Sequence, residues 1–240
     1  MRQLHVYDCA LTGVMPMRVI LATMLVVGGF AVALIVVVPA HADPETCPPV
    51  CDQVPNTAWI QQHAVPLDTV YNWPALAGSA VPLTGGATTR FRFEDLCATA
   101  AVPQDPRDSA VAARVTVTHP DGQWQLQAQI LHWRGDTARG GPTAASVFSN
   151  AVAALRGCQQ RAPAESPSIT SDEQNRMAAV ISGPVIAHTY LVAHVASSTI
   201  SELTLWSSGP PQVSWPSMAD DPVLNSMTAP LCAAYIASCP

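Results

Sequence analysis

Residues 111–130 read VAARVTVTHPDGQWQLQAQI, and this stretch decides the fold. Ala113, Val115 and Val117 alternate with Arg114, Thr116 and Thr118. After Pro120-Asp121-Gly122-Gln123, the residues Trp124, Leu126, Ala128 and Ile130 alternate with Gln125, Gln127 and Gln129. A period of two puts successive side chains on opposite faces of a strand, and Pro-Asp-Gly is turn chemistry. The pattern predicts a β-hairpin with one buried apolar face and one solvated polar face, the mark of an antiparallel sheet.

Downstream the period changes. Ala144, Val147, Phe148, Ala151, Leu155 and Cys158 recur at spacings of three and four, which predicts a helix over 143–158 with Cys158 on its buried stripe. Residues 162–172 are Pro- and Ser-rich and read as a loop. Strands are expected over 177–182, 185–196 and 200–207, broken at Gly183-Pro184 and at Ser197-Ser198-Thr199. Asp221-Pro222 offers an N-cap and a first-turn proline for a last helix, which Pro230 is expected to kink or restart. The order β-β-α-β-β-β-α, with strands in adjacent runs, gives an α+β class over residues 90–240, an antiparallel sheet packed with helices and stapled by disulfides.

Upstream, residues 43–89 carry Pro44, Pro48, Pro49, Pro55, Pro66, Pro74 and Pro82. These bar a long helix or a central strand, so the segment reads as an extended arm pinned to the body through Trp59, Tyr71 and Trp73. Before it, Val19 to Val38 is uncharged, follows Arg18 and leads to Ala40-His41-Ala42. A basic start, an apolar core and an A-x-A exit make a secretory signal, and the run is also long enough to cross a bilayer. Residues 1–42 are therefore expected to be a signal peptide cut after Ala42, or an anchor through residues 19–38. Either way the rest of the chain lies outside the cytoplasmic membrane.

Met15 or Met17 would make a more ordinary start, and the chain would then lack Cys9. Six cysteines remain, Cys47, Cys51, Cys97, Cys158, Cys232 and Cys239, all beyond the apolar segment, as an oxidising compartment favours. Cys97 with Cys158 is the favoured pair. Cys232 and Cys239, seven apart on one expected helix, would sit about 10 Å from each other, too far to bond, which leaves Cys47 and Cys51 to meet that helix. Cys47-Pro-Pro-Val-Cys51 has three intervening residues, two of them prolines, and reads as a staple rather than a redox motif.

Charged residues are 12% of the chain and there is no lysine. Residues 43–240 hold nine Arg against sixteen Asp and Glu. Nucleic acid and anionic membrane surfaces both require a basic footprint, so neither is an expected partner; the membrane is met only through the N-terminal segment.

His132 ends the hairpin's apolar face, and His188, Tyr190, Val192 and His194 share one face of a strand. His188 and His194 would be about 20 Å apart, too far to share an ion, so these histidines read as polar positions at strand ends. No metal or other cofactor is expected. Arg90-Phe-Arg-Phe-Glu-Asp95 reads as a strand or helix start with solvated charges, or more sharply as a clamp for an anionic ligand. No nucleophile elbow, zinc-protease helix, phosphate loop or kinase motif occurs. None of Ser197, Ser198, Ser207 and Ser208 stands in a context that would activate it.

The segments Ala151–Cys158 (AVAALRGC) and Leu231–Cys239 (LCAAYIASC), in that element order, give the chain a resemblance to a known family. It looks like the extracellular sensor domains of mycobacterial transmembrane Ser/Thr kinases and the secreted or lipid-anchored proteins that share that domain. A lysine-free composition rich in Ala suits a high-GC actinobacterium. The resemblance covers about residues 90–239 and implies a disulfide-bonded α+β sandwich with a ligand cleft and no enzymatic activity. Leu155-Arg156-Gly157 stands where the family usually has a tryptophan, and no ligand residue carries over.

The expected function is that of an exported cell-envelope protein with a non-catalytic, sensor-like domain for a small molecule or envelope component. Two alternatives stand beside it. One is an envelope hydrolase in which His132 or His188 meets Glu94 or Asp136. The other is an accessory partner of an envelope assembly acting through the aromatic-bearing arm.

Overall fold

The computed structural model describes residues 52–235. The first elements are 3-10 turns at Asn56–Ala58 and Gln62–Ala64, then the short helices α1 (Asp68–Tyr71) and α2 (Leu76–Ser79) and strand β1 (Val81–Leu83). Helix α3 (Arg92–Leu96) precedes the hairpin β2 (Val111–Val117) and β3 (Gln125–His132). Helices α4 (Thr137–Arg156) and α5 (Cys158–Arg161) lead to β4 (Ser166–Glu173), β5 (Arg176–Ser182), β6 (Ile186–His194) and β7 (Thr199–Ser207), and α6 (Asp221–Ala234) follows. All seven strands form one antiparallel sheet in the order β1-β2-β3-β7-β6-β5-β4. The class is α+β, as expected.

The hairpin forms with Val115 opposite Ala128 and Arg114 opposite Gln129. Its turn closes through Gln123 N–H donating to the Pro120 carbonyl at 3.0 Å, with Gly122 at φ +77°. Only glycine takes that conformation without strain.

The expected wet face is a correction. Gln127 and Gln129 are buried, Gln129 completely. One sheet face, with Val115, Ile130, Tyr190 and Leu203, packs against α6 and the arm. The other, with Leu131, Met177, Leu191 and Trp206, packs under α4 and the phenylalanines of α3. Alternation shows that the two faces differ in polarity, but polar residues can be buried when each finds a hydrogen-bond partner.

The arm is part of the core. Trp59 and Trp73 are buried, and the Trp73 indole N–H donates to the Pro66 carbonyl at 2.8 Å. Tyr71 stacks on Trp73 and donates its hydroxyl to Gln123 at 2.8 Å, tying the arm to the hairpin turn.

Three boundaries differ from the expected order. Residues 166–173 form an edge strand rather than a loop; it pairs only with β5, is bulged between Ile169 and Ser171, and tolerates Pro167 because an edge leaves N–H groups unused. Helix α4 begins six residues early, capped by Asp136, whose carboxylate accepts the Ala138 N–H at 2.8 Å. Its Gly140-Gly141-Pro142 looks like a break, yet a Cβ on Gly141 would come within 2.7 Å of the Val195 carbonyl. The glycines let the helix touch the β6–β7 turn. Finally, α6 is capped at Asp220, one residue before the expected position, and runs through Pro230.

Cys97, capping the C-terminus of α3, is disulfide-bonded to Cys158. Cys232 is disulfide-bonded as well. Helix α6 ends at Ala234. Cys47, Cys51 and Cys239, and the signal or anchor over residues 1–42, lie outside the described residues. Among the described residues no helix is long and apolar enough to cross a membrane.

Candidate functional site

The covered polar row of the sheet holds one segment by its backbone. Arg114 donates through Nε to Gln129 Oε1 at 2.7 Å and through Nη2 to the Arg90 carbonyl at 2.6 Å. Gln129 donates to the Thr89 carbonyl at 2.8 Å. On β7, Glu202 accepts the Arg92 N–H at 2.6 Å, the Gln127 amide at 3.0 Å and the Thr204 hydroxyl at 3.1 Å. Burial dominates over these bonds and over nearby Arg114, and pushes the Glu202 carboxyl up to about 7. Residues 89–92 are thus fastened to the sheet just where α3 starts.

Helix α3 brings Glu94 to Arg107. Glu94 Oε2 accepts the Phe91 N–H at 2.7 Å and Arg107 Nη1 at 2.5 Å, and Oε1 accepts Arg107 Nη2 at 3.2 Å. Asp105 accepts Arg107 Nε and Nη2 at 2.6–3.0 Å. Asp105-Pro106-Arg107 opens a 3-10 turn in which the Asp105 carboxylate also accepts the Arg107 N–H. Burial works against both charges, but the bonds between them prevail, lowering the Asp105 pKa and raising that of Arg107. The Arg107 guanidinium also lies over the Phe91 ring, 5.0 Å from its centre.

This triad is one wall of a cleft of about 80 Å³ between α3, the loop that follows it, and α4. Val102, Val147, Ala151 and Ala154 make the apolar side, with Asn150 at the rim. Thr99 also lines it; its hydroxyl is buried without a hydrogen-bond partner, although the Thr99 carbonyl is fixed by Arg90 at 2.6 Å. The Cys97–Cys158 disulfide anchors the cleft at the C-terminal ends of α3 and α4.

Arg90 and Arg92 do not form a clamp. Arg90 is bonded to Asp95 and the Thr99 carbonyl, and Arg92 lies over Trp206. Nor are all charges of this segment solvated, since Glu94 is buried.

The histidines lie on the opposite sheet face from Glu94. His188 stacks on Trp215 with centroids 3.6 Å apart, beside Trp124, and burial pushes it down to about 4 against the opposing charge of Asp220. His132 stacks on Tyr235, meets Thr199 Oγ1 at 3.1 Å and is likewise pushed down to about 4 by burial. Glu94 and Asp136 are engaged elsewhere, with Arg107 and with Ala138 N–H. Among the described residues no three His, Cys, Asp or Glu side chains are grouped as a metal site.

One contact changes the reading of the serines. His194 Nδ1 lies 2.7 Å from Ser197 Oγ, and burial lowers the His194 pKa. His194 lines an open groove of about 390 Å³ with Asn175, Arg176 and Thr228, whereas Ser197 is only 2% exposed.

No family model and no curated protein matches the chain. The cleft therefore rests on its own geometry. Thr99, Asp105, Arg107 and Glu202 were not among the residues singled out by sequence. Two signals could have found part of the set: the Asp-Pro-Arg turn, and a lone carboxylate inside Ile200-Ser-Glu-Leu-Thr-Leu205. Thr99 has no such signal.

Proposed function

We propose that this is an exported cell-envelope protein whose α+β domain is a non-catalytic ligand-binding module, with the cleft between α3 and α4 as its site. The observation that carries this reading is the cleft itself. Apolar walls meet a few fixed polar groups, the composition of a small-molecule site. Export rests on the apolar N-terminal segment and the even set of cysteines, and the resemblance to kinase sensor domains points the same way. The buried arm aromatics weaken the accessory-partner alternative, because Trp59 and Trp73 are used within the chain's own core. A thermal-shift screen against envelope lipids, glycans and small metabolites tests the reading. A binder of the native state raises the melting temperature; a screen without any stabilising compound counts against it.

A hydrolase is the second reading, favoured by the contact between His194 and Ser197. A buried serine makes a poor nucleophile toward a groove its own hydroxyl does not line. Labelling of Ser197 by a fluorophosphonate, abolished in Ser197→Ala, would establish this alternative.

A further inference from the structure

We propose that Glu202 is a proton-operated latch: with its proton in place segment 89–92 stays seated on the sheet, and loss of that proton lets the segment lift, turning α3 about the Cys97–Cys158 bond.

The latch is built on a carboxyl that has no ion-pair partner among the described residues. Glu202 is 1% exposed and lies on the central strand of the sheet. The charged groups around it are bonded elsewhere. Arg114 of β2 gives Nε and Nη2 to Gln129 and the Arg90 carbonyl. Arg90 holds Asp95 and the Thr99 carbonyl, and Arg92 of α3 lies over Trp206 with Asp95 at 3.8 Å. Glu94 binds Arg107. The neighbouring strands place Gln129 and Leu191 opposite Glu202, neither of them charged.

The hydrogen bonds accommodate either form. Ionised, the two oxygens accept the Arg92 N–H, the Gln127 amide and the Thr204 hydroxyl. Protonated, the carboxyl donates to Thr204 Oγ1, whose own proton turns to Thr189 Oγ1, 2.8 Å away. What changes is the charge. An unpaired carboxylate held away from water is costly, and its relief is hydration, which requires the cover to move. The upward push of burial on this carboxyl, to about 7, agrees.

The cover is able to lift. Residues 89–92 join no strand, and the sheet holds them through the side chains of Gln129, Arg114 and Glu202. Phe91 and Phe93 are buried, so lifting is a rare local opening rather than a second resting state. The disulfide keeps the far end of α3 in place. A hydrated Glu202 ionises near its ordinary 4.5, so opening becomes more frequent from pH 4.5 to about 7 and then levels off. Acid therefore holds the latch shut. The latch operates whether or not the cleft holds a ligand, although Phe91 and Glu94 of the cleft wall move with it.

The test is hydrogen exchange of the Arg92 amide in the full exported domain, followed by NMR from about pH 5 to 8 with and without dilute urea. After correction for the base catalysis of exchange itself, opening should rise about tenfold per pH unit up to about 7 and then level off. Dilute urea should leave it unchanged, because little surface is exposed, and Glu202→Gln should abolish the rise. A carbon-13 titration of the Glu202 carboxyl in the wild-type domain needs no variant and should have its midpoint near 7. A midpoint in the ordinary carboxylate range overturns the proposal. So does an Arg92 opening that ignores pH, that follows urea together with the amides of β6, or that keeps its rise in Glu202→Gln.

Discussion

Glu202, in the middle of β7, accepts the backbone N–H of Arg92, 110 residues earlier in the chain, at 2.6 Å. This bond joins the centre of the sheet to the first residue of the helix that carries Glu94 and ends at Cys97. Together with Arg114 on the Arg90 carbonyl and Gln129 on the Thr89 carbonyl, it turns a polar strand face into a mount for the cleft.

Glu202 should leave a mark on the pH dependence of stability. The native carboxyl keeps its proton to about 7, whereas the unfolded one releases it near 4.5. Between these values the native state binds more protons, so this group's contribution falls as pH rises. The Glu202→Gln variant lacks that slope. Urea denaturation from pH 4.5 to 8 should show it gaining on wild type with rising pH, by on the order of 2–3 kcal/mol across the window. A constant difference would mean that the carboxyl titrates normally.

His132 and His188 act in the opposite sense. Both are held neutral down to about 4, against an ordinary value of 6.5, so the unfolded state binds more protons between these limits. Their contribution is present above about 6.5 and is lost on acidification. The double variant His132→Phe, His188→Phe should flatten the acid side of the stability profile, and an unchanged acid limb would contradict this.

The disulfide closes a loop with a sequence separation of 61 residues. Replacing Cys97 and Cys158 together by alanine should cost about 4 kcal/mol by the loop-entropy relation. Because both sulfurs are buried, dithiothreitol should reduce the bond only under conditions that unfold the domain. Rapid reduction of the native domain would contradict that.

Glycine-to-alanine changes separate two kinds of helical glycine. Gly78 is exposed and has nothing within 4 Å of an added Cβ, so Gly78→Ala should be neutral or stabilising by up to about 1 kcal/mol. Gly141→Ala would press on the Val195 carbonyl and should cost about 1–3 kcal/mol. Thermal denaturation of both variants decides; equal effects would mean that α4 does not touch the β6–β7 turn.

What could be read from the sequence followed regular periods. The hairpin, strands β5 to β7 and the buried stripe of α4 come from spacing and burial, which are local properties; the Cys97–Cys158 pair, 61 residues apart, is favoured without such a local signal. The polar row of the sheet did not yield to the same reasoning, because Gln127, Gln129 and Glu202 look solvent-facing until partners 40 to 110 residues away are in place. Edge strand β4 was hidden by Pro167 and a bulge. The start of α4 was hidden by a Gly-Gly-Pro whose glycines serve a tertiary contact. Within the cleft, Glu94 stood in a noticed segment, but Arg107 and Thr99 acquire meaning only when α3 is folded against α4.

The most direct test of the cleft as the binding site is a methyl spectrum of the exported domain titrated with an envelope extract. A bound component should move the resonances of Val102, Val147, Ala151 and Ala154 and leave Val192 and Ala196, on the separate His194 groove, in place. Movement confined to Val192 and Ala196, or none at the cleft with any fraction, would contradict it.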